Sequence, residues 1–149
     1  MSLAMTEDEC ETFLAGAHVA VMSVQREGRG PLSMPVWYAY DPGGEVRIWA
    51  GGNSTKVRLV KRVGRFTVCV QRATPPYKFV SVEGPMVAIE PIDFERDLRP
   101  LVYRYLDREE GDHYLEELGG SAALKEDVLI RMSPDRWFSQ DHSKEGGAE

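Results

Sequence analysis

The chain has 149 residues, 42% of them hydrophobic and 28% charged, so it is long enough for one domain with an apolar core. Its 24 acidic residues outnumber its 18 Lys and Arg, and the net charge of −6 argues against a nucleic acid as the main partner. No apolar run approaches the ~20 residues that cross a bilayer, and the acidic N-terminus does not resemble a signal peptide. We therefore expect a cytoplasmic protein without membrane association.

The first third of the chain reads as one helix and three strands. Thr6 with Glu9 three residues later is typical of a capping box, which predicts a helix over residues 6–15. Apolar residues alternate from Leu32 to Tyr40, and Pro35 within that run indicates an edge strand or a bulge. Strands are expected over residues 19–25, 32–40 and 46–50.

The remainder combines further strands with helices. A helix is expected over residues 54–63, capped by Ser54 or Asn53 and ended by Gly64. Further helices are expected over 94–106 and 113–118, and strands over 65–72, 78–89 and 127–132. About six strands with short spacings favour an antiparallel barrel with peripheral helices over a doubly wound sheet. We place one domain at residues 6–140, with flexible termini at 1–5 and 143–149.

A basic segment stands out against this acidic background. Between Val46 and Val82 the chain has eight cations and no acidic residue, whereas the remainder has 10 Lys and Arg against 24 acids, or −14. A local cluster of this kind predicts a bound anion. The cations are Arg47, Lys56, Arg58, Lys61, Arg62, Arg65, Arg72 and Lys78.

A helical wheel separates the cations of the predicted helix over residues 54–63. Arg58, Lys61 and Arg62 fall on a polar face, whereas Lys56 falls within the apolar arc of the first turn. The free N–H groups of a helix start, together with Ser54, Thr55 and an inward ammonium, are suited to a phosphate. The alternative is that Lys56 reaches out of the first turn and pairs with a carboxylate.

Other chemical signals are weak. The aromatic residues Trp37, Tyr38, Tyr40, Trp137 and Phe138 could wall a planar ligand or belong to the core or an interface. The three histidines have no metal-binding spacing, no nucleophile motif is present, and no residue is assigned a catalytic role. Tyr38 or Tyr77 would be a proton donor only if it faced a bound ligand.

The run PLSMPVWYAYDPGGEVRIWAGGNSTKVRLVKRVGRFTVCVQ, followed by PYKFVSVEGPMVAIEP, resembles the pyridoxamine 5′-phosphate oxidase-like superfamily, which includes FMN-binding proteins and F420-dependent reductases. The resemblance implies a mainly β fold, a six-stranded antiparallel split β-barrel that is homodimeric, with cofactor sites at the dimer interface. The contacts of the vitamin B6 oxidase itself are not recognisable, so vitamin B6 oxidation is not expected.

The resemblance also implies roles for individual residues. It assigns the cofactor phosphate to Lys56, with Ser54 and Thr55 at the same helix start and Arg58 as a further contact. It places one strand segment along the isoalloxazine ring and lets Trp137 reach the site of the partner subunit. The strand segment consists of Met34, Pro35, Val36 and Trp37.

Two functions follow as hypotheses. The first is an FMN- or F420-dependent oxidoreductase that transfers a hydride between the cofactor and a small organic substrate. The alternative is a non-catalytic flavin or F420 carrier or regulatory protein. Haem binding has little support, since no histidine lies near the aromatic strand. Eight cations exceed the needs of one FMN phosphate, which favours F420 with its acidic tail.

Overall fold

The computed structural model describes residues 2–145, apart from the side chains of residues 122 and 123. This part of the chain contains eight strands and four α-helices. The strands are β1 (Ala20–Arg26), β2 (Arg29–Val36), β3 (Tyr38–Ala39), β4 (Val46–Gly51), β5 (Arg65–Arg72), β6 (Lys78–Pro91), β7 (Asp127–Met132) and β8 (Arg136–Asp141). The α-helices are α1 (Glu7–Leu14), α2 (Thr55–Val63), α3 (Arg99–Tyr105) and α4 (Arg108–Glu117).

The strand pairings form a circuit, and all of them are antiparallel. Strand β1 pairs with β2 and β5, β5 with β6, β6 with β7, β7 with β4, and β4 with β3. Only Trp37 separates β3 from β2, so the pairing returns to the strand beside which it began. This arrangement is a split barrel with peripheral helices, which confirms the predicted fold class.

The number of strands differs from the prediction of six. One additional strand arises because the Tyr105 hydroxyl accepts a hydrogen bond from the backbone N–H of Tyr38 at 3.0 Å, where the strand changes partner. The other is β8, which pairs with the first half of β6. Its sequence, RWFSQD, has few apolar residues and therefore gave no strand signal.

The helices agree with the prediction except in the insert between β6 and β7. Thr6 and Glu9 form the expected capping box of α1. The insert begins with a π-helical turn over Phe94–Leu98 and continues as α3, which has Pro100 in its first turn. Helix α4 begins at Arg108, earlier than predicted, because Asp107 caps it through the N–H of Glu110 at 2.8 Å.

Two apolar clusters hold these elements together. The larger fills the barrel and is joined by Val57 and Val60 of α2, which are both fully buried. The smaller lies between the outer face of the barrel and the insert, where Leu98, Val102 and Leu115 pack near Trp37. The insert is therefore a second layer on one side of the barrel.

The described parts of the termini are in contact with the domain. The N–H of Met5 donates to the hydroxyl of Ser139 at 3.0 Å, and Lys144 pairs with Glu9 at 2.8 Å. Met1 and residues 146–149 lie outside the described residues, so the flexible termini and the domain bounds stay predictions. Within residues 2–145, no helix is long and apolar enough to span a membrane.

Candidate functional site

Helix α2 begins directly after the end of β4. Ser54 is its N-cap, and the Ser54 hydroxyl accepts a hydrogen bond from the N–H of Val57 at 3.4 Å. Gly64 ends the helix with φ +85°, a left-handed conformation that glycine adopts without strain. The bounds Thr55–Val63 confirm the helix predicted over residues 54–63.

The turn before α2 is held against the start of β7. The N–H of Gly52 donates to the carbonyl of Glu126 at 3.0 Å, and the N–H of Ser54 donates to Gly51 at the same distance. A Cβ atom at Gly52 would lie 2.2 Å from the Glu126 oxygen, which only glycine avoids without a backbone shift. The free N–H groups at the start of α2 are therefore presented by a fixed turn.

Lys56 is half-buried in the first turn of α2, as the helical wheel predicted. Burial lowers its pKa from the ordinary value of 10.5, because an ammonium group loses hydration there. Within residues 2–145, no carboxylate lies within ion-pair distance of its Nζ atom. The alternative in which Lys56 pairs with a carboxylate therefore finds no support.

Arg58 is folded back over the same turn. Its Nη1 donates to the carbonyl of Asn53 at 2.6 Å, and its Nη2 donates to the Thr55 hydroxyl at 3.2 Å. The side chain remains exposed, as predicted from the wheel. Its guanidinium thus adds a second positive charge beside the helix start and stabilises the turn. The structure brings Ser54, Thr55, Lys56 and Arg58 together.

Most other cations of the basic segment are neutralised by distant carboxylates. Arg65, for example, pairs with Glu83 at 3.1 Å and with Asp135 at 2.9 Å. Arg72 donates to the carbonyl of Pro76 instead. The remaining pairs are Arg47 with Asp41, Arg62 with Glu27 and Lys78 with Asp141, at 3.1, 3.3 and 3.7 Å. Within the described part of the chain, the basic segment thus leaves cations without a carboxylate partner mainly on α2.

The segment predicted to lie along a flavin ring is divided by the fold. Strand β2 pairs with β1 alone and ends the sheet, so Pro35 lies in an edge strand, as predicted. Pro35 is exposed, whereas Met34 is half-buried and Val36 is buried, both in the main core. The free edge of β2 can offer its backbone groups to a ligand.

Trp37 packs beneath the insert. Its ring is stacked on Tyr105, with centroids 4.8 Å apart and an interplanar angle of 8°, and lies 5.7 Å from the ring of Tyr114. One face of the indole is thus covered by protein. In a single chain, Trp37 contributes to the packing of the insert, and its role beside a cofactor stays a prediction.

Trp137 lies apart from this group. It is on β8, half-buried, and its ring meets that of Tyr40 edge to face at 6.5 Å. Strand β8 pairs with β6, whereas α2 packs on β1, β4 and β5. A contact between Trp137 and the α2 site of a partner subunit stays a prediction. The neighbouring Phe138 is 64% exposed.

Two hydrogen bonds gave no sequence signal, one beside the start of α2 and one in the core. The indole N–H of Trp49 donates to the carboxylate of Asp127 at 2.8 Å, and Asp127 is in register with Gly51. The hydroxyl of Tyr38 donates to the carbonyl of Leu14 at 2.5 Å, and burial raises its pKa. Tyr38 is therefore a structural residue of the core and is unsuited to donate a proton at the surface.

A family model for pyridoxamine 5′-phosphate oxidase matches residues 6–137. The chain belongs to this family. The match spans both the barrel and the insert, so the α2 start lies well inside the region that defines the family. A search of the curated proteins gives no match.

Solved structures with the same fold include several cofactor-binding proteins. An F420 reductase is 20% identical with a TM-score of 0.68, and the match covers 86% of this chain and 94% of that one. A conserved hypothetical protein of Mycobacterium tuberculosis is 20% identical with a TM-score of 0.74, covering 97% and 90%. An FAD-binding protein of Mesorhizobium loti is 16% identical with a TM-score of 0.65, covering 92% and 95%. At these identities the comparisons establish the fold alone.

Proposed function

We propose that this protein binds FMN or F420 with the cofactor phosphate at the start of α2, and transfers a hydride between the cofactor and a small organic substrate. The observation that carries the proposal is Lys56. It is a half-buried lysine in the first turn of a helix, beside free N–H groups, and the described residues provide no carboxylate for it. A phosphate would supply the missing countercharge.

The surrounding residues have distinct roles in this proposal. Lys56 and the first N–H groups of α2 bind the phosphate, and Arg58 holds the turn while adding charge. The free edge of β2 at Pro35 orients the planar end of the cofactor through backbone groups. The bound cofactor supplies the hydride chemistry, and the protein positions it and excludes water.

The ion pairs in the fold weaken the argument from charge that favoured F420 over FMN. Eight cations in one segment favoured F420, but several of them are already paired with carboxylates. Among the described residues, Lys56 and Arg58 at the start of α2 have no carboxylate partner, and these two cations suffice for an FMN phosphate. The structural likeness to an F420 reductase supports F420, so both cofactors stay in the proposal and the titration below decides between them.

We also propose that the active form is a homodimer. One register row on the outer face of the barrel runs from Pro35 through Val21, Cys69 and Ser81 to Phe138. Val21 is 44% exposed and Phe138 64%, so this one row carries two exposed apolar side chains. A second copy packed on this face would bury them. Analytical ultracentrifugation should give a dimer for the wild type and a monomer for Val21→Asp.

Cofactor titration tests the proposed site. FMN and F420 are each titrated into the wild type, into Lys56→Ala and into Lys61→Ala, and binding is followed by cofactor fluorescence. The loss of a charge-assisted contact to phosphate predicts about 10- to 100-fold weaker binding for Lys56→Ala. Lys61 is an exposed cation on the same helix, so Lys61→Ala should bind like the wild type. Equal affinity of wild type and Lys56→Ala would contradict the phosphate site.

Turnover separates the enzyme from the carrier. The protein with reduced cofactor is mixed with a panel of unsaturated and nitroaromatic acceptors, and cofactor oxidation is followed by absorbance. Oxidation that depends on both protein and acceptor supports an oxidoreductase. Tight binding without oxidation by any acceptor would instead support the carrier.

A further inference from the structure

A polar cavity lies on the opposite face of the barrel wall from the main core. It has a volume of about 370 Å³ and is enclosed by the outer faces of β3, β4 and β7 and by the insert. This volume is sufficient for a small ligand. Ala39, Pro100, Leu101 and Leu129 form its apolar wall, and the charged lining consists of Arg47, Arg96, Arg104, Asp41 and Asp97.

Arg104 is fixed at this cavity with one donor unused. Its Nη1 and Nη2 atoms donate to the carbonyls of Ala15 and Gly16 at 3.0 and 2.6 Å, and its guanidinium lies 4.9 Å from the ring centroid of Tyr38. Its Nε atom is buried and has no hydrogen-bond partner among the described residues. Since buried N–H groups are nearly always bonded, this donor indicates a missing acceptor.

Arg96 is also held in place. Its Nε and Nη2 donate to the carboxylate of Asp97 at 3.0 and 2.8 Å. Burial opposes the charge of Asp97, but bonds from Arg96 and from the backbone of Asp93 hold its pKa below the ordinary value. Asp97 is therefore committed to Arg96, and its charge is compensated within the cavity wall.

Arg47 is the adaptable cation of the cavity. It pairs with Asp41 at 3.1 Å, but the Asp41 side chain is 82% exposed, and such pairs are weak and exchangeable. The cavity lining has three guanidinium groups against two carboxylates, in a protein whose net charge is −6. An entering anion can therefore take the place of Asp41, whose exposed carboxylate is then solvated by water.

We infer that this cavity binds a small organic carboxylate. The carboxylate pairs with Arg47 beside the guanidinium of Arg104, and the apolar body of the ligand packs on Pro100, Leu101 and Leu129. Arg47 and Gly51 are four residues apart on β4, or roughly 13 Å along an extended strand, so the cavity is separate from the start of α2. This site does not depend on the proposed cofactor.

Calorimetric titration of the full chain, without cofactor, tests the inference. Benzoate provides one carboxylate on an apolar ring, and benzamide is its uncharged counterpart. Benzoate should give a saturable heat of binding and benzamide should give none. Absence of saturable benzoate binding, or equal binding of benzamide, would overturn the proposal.

Variants locate the site. Arg47→Gln should weaken benzoate binding about tenfold, the effect of one lost charge-assisted hydrogen bond. Asp41→Asn frees Arg47 at an exposed position and should strengthen binding by about two- to fivefold. Lys61→Gln removes the same charge outside the cavity and should leave binding unchanged. Unchanged binding in both cavity variants, or an equal loss in Lys61→Gln, would contradict the site.

A spectroscopic measurement identifies the unpaired donor. In a ¹H–¹⁵N spectrum, benzoate should shift the Nε–H resonance of Arg104, which is assigned by its disappearance in Arg104→Lys. A resonance that does not move at saturating benzoate would show that Arg104 is not part of the site.

Discussion

The cations at the start of α2 and several that have carboxylate partners come from one acid-free segment, yet the fold uses them differently. Arg65 on β5 has two carboxylate partners, whereas Lys56 on α2 has none among the described residues. The strands bring distant acidic residues into register, and the start of the helix does not. A basic run in a sequence is therefore informative only where the fold leaves it unpaired.

Charge reversal at Lys56 is expected to have the largest effect. Lys56→Glu would place a carboxylate beside the phosphate site and should weaken FMN or F420 binding by more than about 100-fold, since an attraction becomes a repulsion. The comparison variant is Lys61→Glu on the same helix, for which only a few-fold loss is expected. If both variants lose binding equally, α2 acts through its overall charge and not through Lys56.

The paired region should respond in stability and not in binding. Arg65→Ala removes two partly exposed ion pairs and should lower the free energy of unfolding slightly but measurably in urea denaturation. Arg62→Ala removes one pair with side chains that are 71% and 89% exposed, so almost no change is expected. A marked loss of cofactor affinity in Arg65→Ala would contradict the division between the two regions.

Arg58 should show an intermediate effect. Arg58→Ala removes its bonds to Asn53 and Thr55 and should weaken cofactor binding by about 3- to 10-fold. Arg58→Lys keeps the charge but loses the planar guanidinium, which can donate to Asn53 and Thr55 at the same time. If these two guanidinium bonds stabilise the turn, Arg58→Lys should bind the cofactor almost as poorly as Arg58→Ala. Full affinity in Arg58→Lys would mean that charge alone matters.

The smallest expected effect is a shift with pH. Burial lowers the pKa of Lys56, so its charge is lost at a lower pH than that of an ordinary lysine. Above the second pKa of the phosphate, which is about 6, binding should therefore be constant up to this lowered pKa and fall as the pH rises through it. Lys56→Arg should retain binding to higher pH, because a guanidinium stays charged. Fluorescence titrations over this range test both proteins, and superimposable pH profiles would contradict the assignment.

Most of the correct predictions came from the helical and strand periodicity of apolar residues. The wheel placed Val57 and Val60 in the core and Lys56 beside them, because these relations depend only on helical geometry. Alternation likewise predicts that Val36 and Trp37 lie on opposite faces of one strand, and in the structure Val36 is inside the barrel and Trp37 outside it. The sequence could not indicate that Tyr105 would cover Trp37, since this contact depends on how a distant insert folds back.

The charge pairings and the cavity beneath the insert were beyond sequence reasoning for the same reason. Arg65 meets Asp135, and Trp49 meets Asp127, across 70 and 78 positions of the chain. Arg104 reaches the carbonyl of Gly16 over 88 positions. These contacts depend on strand register and on the docking of the insert, neither of which has a local signature.

The hydroxyl of Tyr105 joins the insert to the barrel at the interruption between β2 and β3. It accepts from the N–H of Tyr38 and lies 2.7 Å from the carbonyl of His18, to which it donates. Removal of the insert would leave both backbone groups without partners and would expose the ring of Trp37. The insert is thus an integral part of the folding unit, and thermal unfolding should carry barrel and insert through a single cooperative transition.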